Sequence, residues 1–461
     1  MTQNLPSPSI LNYQSASSDA RPSPSLLVII ICWIIIVAIV GLEVAANIER
    51  ATAATNTPAD NITMSAIGRY IVGAHELSSA GNSNNQPDAT ALLVADMEAI
   101  AKSPDDRLRL AIISKEVEPP STADKRLDAL SKLTTLSPSA KGDLGILKII
   151  YRSGPDAISN QQRQALLDHE SWFAQVALSF GVPDSTPVRS TMLEQAKRAC
   201  IVYTGAGIVG AGVLVLGAGL IIVAIILASL GRLPLRFLRP RFDSVFLEAF
   251  AVYLGGFVML SLLLHAIVDS PGLGWSLVLT IMLPVALLWP VVRGKPWAQT
   301  RIEFGWHTGK GVFREICCGV IGYIAALPLL AIMLLITLQL IRLSGTTPTH
   351  PVVNFLNGGP GEIVLIYFIA CIWAPVFEES MFRGALFNHL RARHGWWISA
   401  GIVGLLFAAI HPQGWTTIPV LGGIGVVLCA LREWRGSLIA SMAAHAMSNG
   451  LVITLALLTS R

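Results

Sequence analysis

The chain has 461 residues, of which 53% are hydrophobic and only 13% charged, and its mean hydropathy is +0.60. A soluble globular chain is nearer one quarter charged, so this composition excludes an ordinary cytosolic enzyme and indicates a polytopic membrane protein. The formal net charge is +4, and no nucleic-acid partner is expected.

Residues 1–25 are rich in Ser and Pro and nearly uncharged, which reads as a disordered tail. The run Leu26–Leu42 is apolar throughout, and with its flanks (26–47) it is long enough to span a bilayer. A cleaved signal peptide ending near Val44-Ala45-Ala46 is the rival reading. The length of the run, and a preceding region with only Arg21 against Asp19, favour a retained anchor.

Residues 48–199 differ in kind, holding 18 of the 29 acidic and 16 of the 33 basic residues. Apolar positions recur at helical spacing in 91–102, 105–116 and 124–133, punctuated by Pro119-Pro120, Ser137-Pro138 and Gly154-Pro155. A small soluble all-α domain is expected, without a catalytic motif of its own. Recruitment of a substrate or protein partner is the role open to it.

From Ile201 onward apolar segments follow closely, with spans expected near 203–229, 245–268, 274–292, 315–341, 362–388, 396–411, 417–431 and 437–459. With the anchor these make about nine, two of them short. The expected fold is therefore an all-α polytopic bundle with an extra-membrane all-α domain inserted after the first span. Membrane helices fill 200–300 and a functional core fills 301–461. The six cysteines lie in or beside apolar segments without metal-site spacing and read as buried small hydrophobes.

Lys and Arg in short loops set orientation. Arg232, Arg236, Arg239 and Arg241 follow the second span, and Arg293, Lys295, Arg301, Lys310 and Arg314 follow the fourth. Arg391 with Arg393, and Arg432 with Arg435, occupy the last two turns on that side. Nine spans put all four basic loops on one side, which is then cytoplasmic, with 48–199 outside. A bacterial plasma membrane is the expected location, with the endoplasmic reticulum as the alternative.

Ionisable groups within spans are costly, about 2.5–3.5 kcal/mol each at the bilayer centre on insertion scales, and mark functional sites. Glu378 and Glu379 sit in the apolar segment 374–384. His411 lies as far beyond the turn 391–395 as Glu378 lies before it, so both stand roughly 25 Å of helix from that turn at ~1.5 Å per residue. His445 and Asn449 fall roughly 16 and 22 Å beyond the next turn, near Trp434, by the same rise. The four groups can meet within the bilayer. Successive helix positions point about 100° apart, so the two glutamates face differently. Arg383, four residues after Glu379, shares its face and is expected to pair with it. Glu378 is left to face elsewhere. His445 and Asn449 share one face. Pro375 is expected to bend its helix and Pro412 to end one at His411.

A carboxylate and an imidazole at one level can activate a water, and a second His with an Asn can hydrogen-bond a developing oxyanion. That set suffices for peptide hydrolysis. Equally, Glu378, His411 and His445 could ligate Zn²⁺, and the residues alone do not separate the two.

Glu378-Glu-Ser-Met-Phe-Arg383, Phe407-Ala-Ala-Ile-His411 and His445-Ala-Met-Ser-Asn449 resemble, in order, the EExxxR, FxxxH and HxxxN motifs of the CPBP family, the intramembrane CAAX proteases and bacteriocin-processing (Abi) proteins. The resemblance covers roughly 300–459 and leaves 48–199 as an addition. It implies an intramembrane endopeptidase acting on a membrane protein or peptide. Glu378 and His411 would activate the water, His445 and Asn449 would form the oxyanion site, and Glu379 and Arg383 would support them. It further favours a glutamate mechanism without a catalytic metal. The rivals are a catalytically silent scaffold or bacteriocin-immunity-type protein and a proton- or ion-coupled transporter. The absence of an inverted repeat or paired broken helices in the sequence weighs against transport.

Overall fold

In the region between the first two apolar segments, local chemistry writes the helix boundaries. The computed structural model describes residues 25–53, 58–81, 89–101, 103–133, 136–233, 235–268, 284–344 and 358–460, so residues 1–24 of the expected tail lie outside the described residues. After α1 (Leu26–Ala53) come α2 (Pro58–Gly81), α3 (Ala89–Ile100), α4 (Pro104–Val117), α5 (Pro120–Ser131), α6 (Pro138–Ser153), α7 (Asn160–Glu170) and α8 (Trp172–Leu178). Ser103 and Asp106 close a capping box on α4, as do Ser159 and Gln162 on α7. Pro120 and Pro138 stand at the first helical position of α5 and α6, where a missing N–H costs nothing. Gly154 ends α6 at φ +89°, a conformation disfavoured with a Cβ, and Pro155 bars continuation. These helices bury Ile71, Val72, Met97, Leu108, Ile112, Leu147 and Leu166 in one apolar core, which also takes Met192 and Ala196 from the next helix.

That next helix, α9 (Pro187–Ser229), is 43 residues long, about 65 Å at 1.5 Å per residue. It starts in that apolar core and runs without a break into an apolar span. Beyond it come α10 (Val245–Ile267), α11 (Pro284–Val292), α12 (Trp297–Phe304) and α13 (Val312–Ser344). A composite helix, α14, runs through Pro360–Arg391, followed by α15 (Trp396–Ala409), α16 (Ile418–Arg435) and α17 (Ile439–Ser460). No strand occurs among the described residues. The fold is an all-α polytopic membrane bundle.

Seven helices among the described residues are long and apolar enough to cross a membrane. Of the other two expected spans, 396–411 is represented by α15. Its 14 residues rise about 21 Å, short of a hydrocarbon core of roughly 30 Å. Most of 274–292 lies outside the described residues, and the part within them is α11.

Small residues let the spans approach closely, as bilayer packing without a hydrophobic drive requires. A Cβ on Gly404 of α15 would meet the Gly422 carbonyl at 2.7 Å, and one on Gly319 of α13 would collide with the Ala440 carbonyl of α17. At one end of the bundle the basic loops are tied together. Arg391 forks onto Glu433 at 2.8 and 2.9 Å, Arg239 donates to the Arg391 carbonyl at 3.0 Å, and Lys295 pairs with Asp243 at 2.6 Å and Glu303 at 2.5 Å. Arg435 forks onto the buried Glu315 at 2.6 and 2.7 Å. Bidentate Arg–carboxylate pairs of this kind fix register as well as charge.

Candidate active site

Two π-helical turns, Ile369–Trp373 and Ser380–Leu386, bracket the α-helical segment Ala374–Glu379 that carries both glutamates. Such turns recur at functional sites because the wider register re-aims side chains. The first has a visible cause. In this register the amide of Ala374 donates to the Ile369 carbonyl, five residues back. The next amide in the series belongs to Pro375, which has no N–H, so the Ala370 carbonyl loses its donor. Asn449 of α17 supplies one, donating from Nδ2 to that carbonyl at 2.7 Å. Pro375 thus redirects the helix by changing its hydrogen-bond register, and a side chain of the third motif closes the gap.

The two glutamates have unlike surroundings. Glu379 is 0% exposed and accepts from Arg383 Nη1 at 2.9 Å, and Arg383 is itself 0% exposed. The guanidinium also donates to the Gly425 carbonyl at 3.1 Å and lies 4.7 Å from the centroid of the Phe407 ring, a cation–π contact. The expected pair is present. Glu379 has a second partner that the motif spacing does not reveal: His445 Nδ1 lies 2.9 Å from the same carboxylate oxygen. Glu379 therefore links α14 to α17.

Glu378 retains 25% side-chain exposure, while its Oε2 is buried without a hydrogen-bond partner. The nearest basic atom is His445 Nε2 at 3.9 Å. His445 thus stands between the two glutamates, one on each ring nitrogen. With Nδ1–H donating to Glu379, a neutral ring presents Nε2 as an acceptor toward Glu378, and donation from Nε2 requires the imidazolium.

His411 lies in the turn after α15, which stops at Ala409, two residues before the expected end. Its Nδ1 is 2.5 Å from the Phe407 carbonyl, which leaves Nε2 as the free nitrogen. The ring packs on Phe407 at 4.3 Å between centroids, and the Phe407 ring stands edge-on to His445 at 5.9 Å. One aromatic ring of the second motif therefore contacts Arg383, His411 and His445. Gly384 is a packing position: a Cβ there would meet the Phe304 ring at 2.6 Å.

Among the described residues no three His, Cys, Asp or Glu side chains are grouped as metal ligands. His445 and Glu378 offer one donor pair, but His411 does not complete it. Among the described residues, Glu378, His411 and His445 do not form one ligand cluster. Tyr253 of α10, buried and within electrostatic reach of Glu378, belongs to the surroundings of the site and carried no sequence signal. Glu248, His307 and His389 lie outside the three motifs and make contacts within the scaffold. Glu248 accepts from Trp289 and Arg293, His307 meets the Gly436 carbonyl, and His389 meets that of Asp243.

Residues 360–451 match the family model described as Rce1-like, type II CAAX prenyl endopeptidase, a narrower range than the motifs suggested. A protein of Escherichia coli named "Uncharacterized 24.3 kDa protein" is 33% identical over 104 residues, covering 21% of this chain and 48% of that protein. The membrane-embedded CAAX protease MroQ of Staphylococcus aureus (strain USA300) is 31% identical over 101 residues, covering 21% of this chain and 40% of that protein. The chain spans less than half the length of these curated relatives. No solved structure matches. All three motifs fall inside the matched range, and residues 360–451 are a CPBP-family segment of the Rce1-like kind.

Proposed function

We propose that this chain is an intramembrane endopeptidase in which Glu378 is the general base. The observation that carries the reading is the contrast between adjacent carboxylates: Glu379 is fully buried and held by Arg383 and His445, whereas Glu378 is partly exposed and, among the described residues, has only His445 Nε2, at 3.9 Å, within ion-pair range. In the proposed reaction Glu378 takes a proton from a water whose second contact is His411 Nε2. The water oxygen attacks the scissile carbonyl carbon. The proton on Glu378 is shared with His445 Nε2, and the resulting imidazolium, with its other N–H held by Glu379, donates to the tetrahedral oxyanion. The C–N bond then breaks and the proton leaves with the amine. Asn449 has a second amide hydrogen beside the one it gives to Ala370, and that hydrogen is the proposed further oxyanion donor. Glu379 and Arg383 hold His445 and the helix rather than touching substrate.

The proposed substrate is a membrane protein or a peptide presented at the bilayer. The name of the matched family supports a prenylated carboxyl-terminal tail as the first probe, not as the only one. Residues 48–199 form the proposed extra-membrane module, on the side opposite the basic loops and available to a protein partner. The bacterial origin of both relatives supports a bacterial plasma membrane.

The test is cleavage by purified protein in detergent of a farnesylated CAAX-type peptide and its unfarnesylated twin, with and without a chelator. Cleavage that survives the chelator and vanishes in Glu378→Ala is the expected outcome. Loss in chelator, restored by Zn²⁺, would replace the glutamate mechanism with a metal-dependent one. Cleavage that persists unchanged in Glu378→Ala would sink the assignment.

A further inference from the structure

The first helix lies outside the family match, yet one of its side chains reaches the catalytic turn. Asn47, 3% exposed near the end of α1, donates from Nδ2 to the carbonyl of His411 at 2.8 Å. Val44, one turn earlier, lines a small crevice with Asn47 against Ala408, Ala409, Gly414, Trp415 and Ile418. The chemistry calls for such a donor. The helix ladder of α15 has ended at Ala409, and the chain runs non-helically through Gly414 before Trp415–Thr417 turns into α16. Within a bilayer, backbone outside a helix is tolerated only where protein or a water-lined cavity satisfies it. The span that ends at this turn is only 14 residues long, so the turn sits at membrane depth. His411 is then fixed at two points: its ring nitrogen by the Phe407 carbonyl on α15, and its own carbonyl by Asn47 on α1.

We propose that Asn47 is a positioning residue for His411, so that α1 is part of the catalytic unit and not only an anchor. The effect on turnover rests on the endopeptidase reading, while the effect on His411 does not. The arrangement links the outer module to the site as well. Six residues after Asn47, α1 ends at Ala53, and α2, which begins at Pro58, packs against α17, the helix of His445 and Asn449.

The experiment compares three full-length variants. Asn47→Leu removes the donor at similar volume. Asn47→Asp keeps the shape, but an ionised carboxylate cannot donate. Asn47→Gln keeps the amide. Diethyl pyrocarbonate acylates a neutral imidazole nitrogen, which in His411 is the free Nε2, and peptide mass spectrometry reads the rate relative to the exposed His394. In the Leu and Asp variants, His411 acylation is expected to rise by about two- to tenfold, the factor that one buried hydrogen bond contributes. Asn47→Gln should return toward the wild-type rate. Whichever of the two peptides the wild type cleaves should show a fall in kcat of similar size with KM unchanged. Unchanged His411 acylation in folded Leu and Asp variants overturns the inference. Failure of both to accumulate as folded protein overturns it too, by assigning Asn47 to bundle stability. If the wild type cleaves neither peptide, the protease reading fails on its own and the acylation rates still decide the role of Asn47.

Discussion

Adjacent carboxylates on a membrane helix invite the question of which one does chemistry, and their partners answer it differently. Removing the charge of Glu379 leaves Arg383, with no exposure at all, without its one carboxylate partner among the described residues, and it frees His445 Nδ1. Breaking a buried pair from one side costs about 3–5 kcal/mol, whereas removing both members costs much less. Glu379→Gln and Arg383→Met should each lower the melting temperature in detergent, and the double variant should melt above the value that additive losses would give. Glu378→Gln, whose carboxylate has no ion-pair partner within ordinary hydrogen-bond distance, should melt near the wild type while abolishing cleavage. Equal losses of stability at the two glutamates would end this division of labour. The helix period alone separated Glu378 from Glu379 and matched Glu379 to Arg383, because both statements concern one helix. The second bond of Glu379, to His445, was not legible. It depends on the rotation of α17 about its axis, which is set by close contacts such as Gly319 against the Ala440 backbone.

At the scale of the element, α14 departs from its sequence reading in its register. A proline before two carboxylates signals a bend, but periodicity does not distinguish a kinked α-helix from one that widens into π turns. The deciding term is the fate of one carbonyl, that of Ala370, which loses its partner at Pro375 and gains Asn449 from 79 residues away. Two motif segments are thereby coupled through the backbone. Asn449→Leu should lower stability by about 1 kcal/mol, the net worth of such a hydrogen bond, in a background that keeps Pro375. In a Pro375→Ala background the restored N–H can satisfy the same carbonyl, and Asn449→Leu should then cost little. A double-mutant cycle read by thermal melting measures the difference. Purely additive effects would mean that Asn449 and Pro375 act independently. The short helix α15 was legible as apolar and short, but its exact end was not. Ile410 continues the hydrophobic pattern in sequence, whereas the chain has already turned there to bring His411 back toward Phe407.

For the molecule as a whole, seven of the nine expected spans are present as helices of membrane-crossing length among the described residues, and residues 48–199 differ in composition from the remainder. What composition could not indicate is how the two are joined. A single 43-residue helix carries the chain from the apolar core of α2–α8 into the bundle, so on this side the module is joined by a continuous helix rather than by a linker. That helix makes the orientation of the module a property of the entire bundle. The four basic loops, with thirteen Lys and Arg residues, converge at one end through Arg391–Glu433, Arg239 with the Arg391 carbonyl, and Lys295–Asp243. Cytoplasmic loops carry the excess of basic residues, so this end is expected to face the cytoplasm and the module to face away from it. Ser139, exposed on α6, offers a reporter. In Ser139→Cys, an impermeant maleimide should label intact cells, with the unsubstituted protein as the background for its six native thiols, three of which are buried. Labelling that requires permeabilisation would invert the bundle. The basic loops would then lie on the outer face against the usual charge bias.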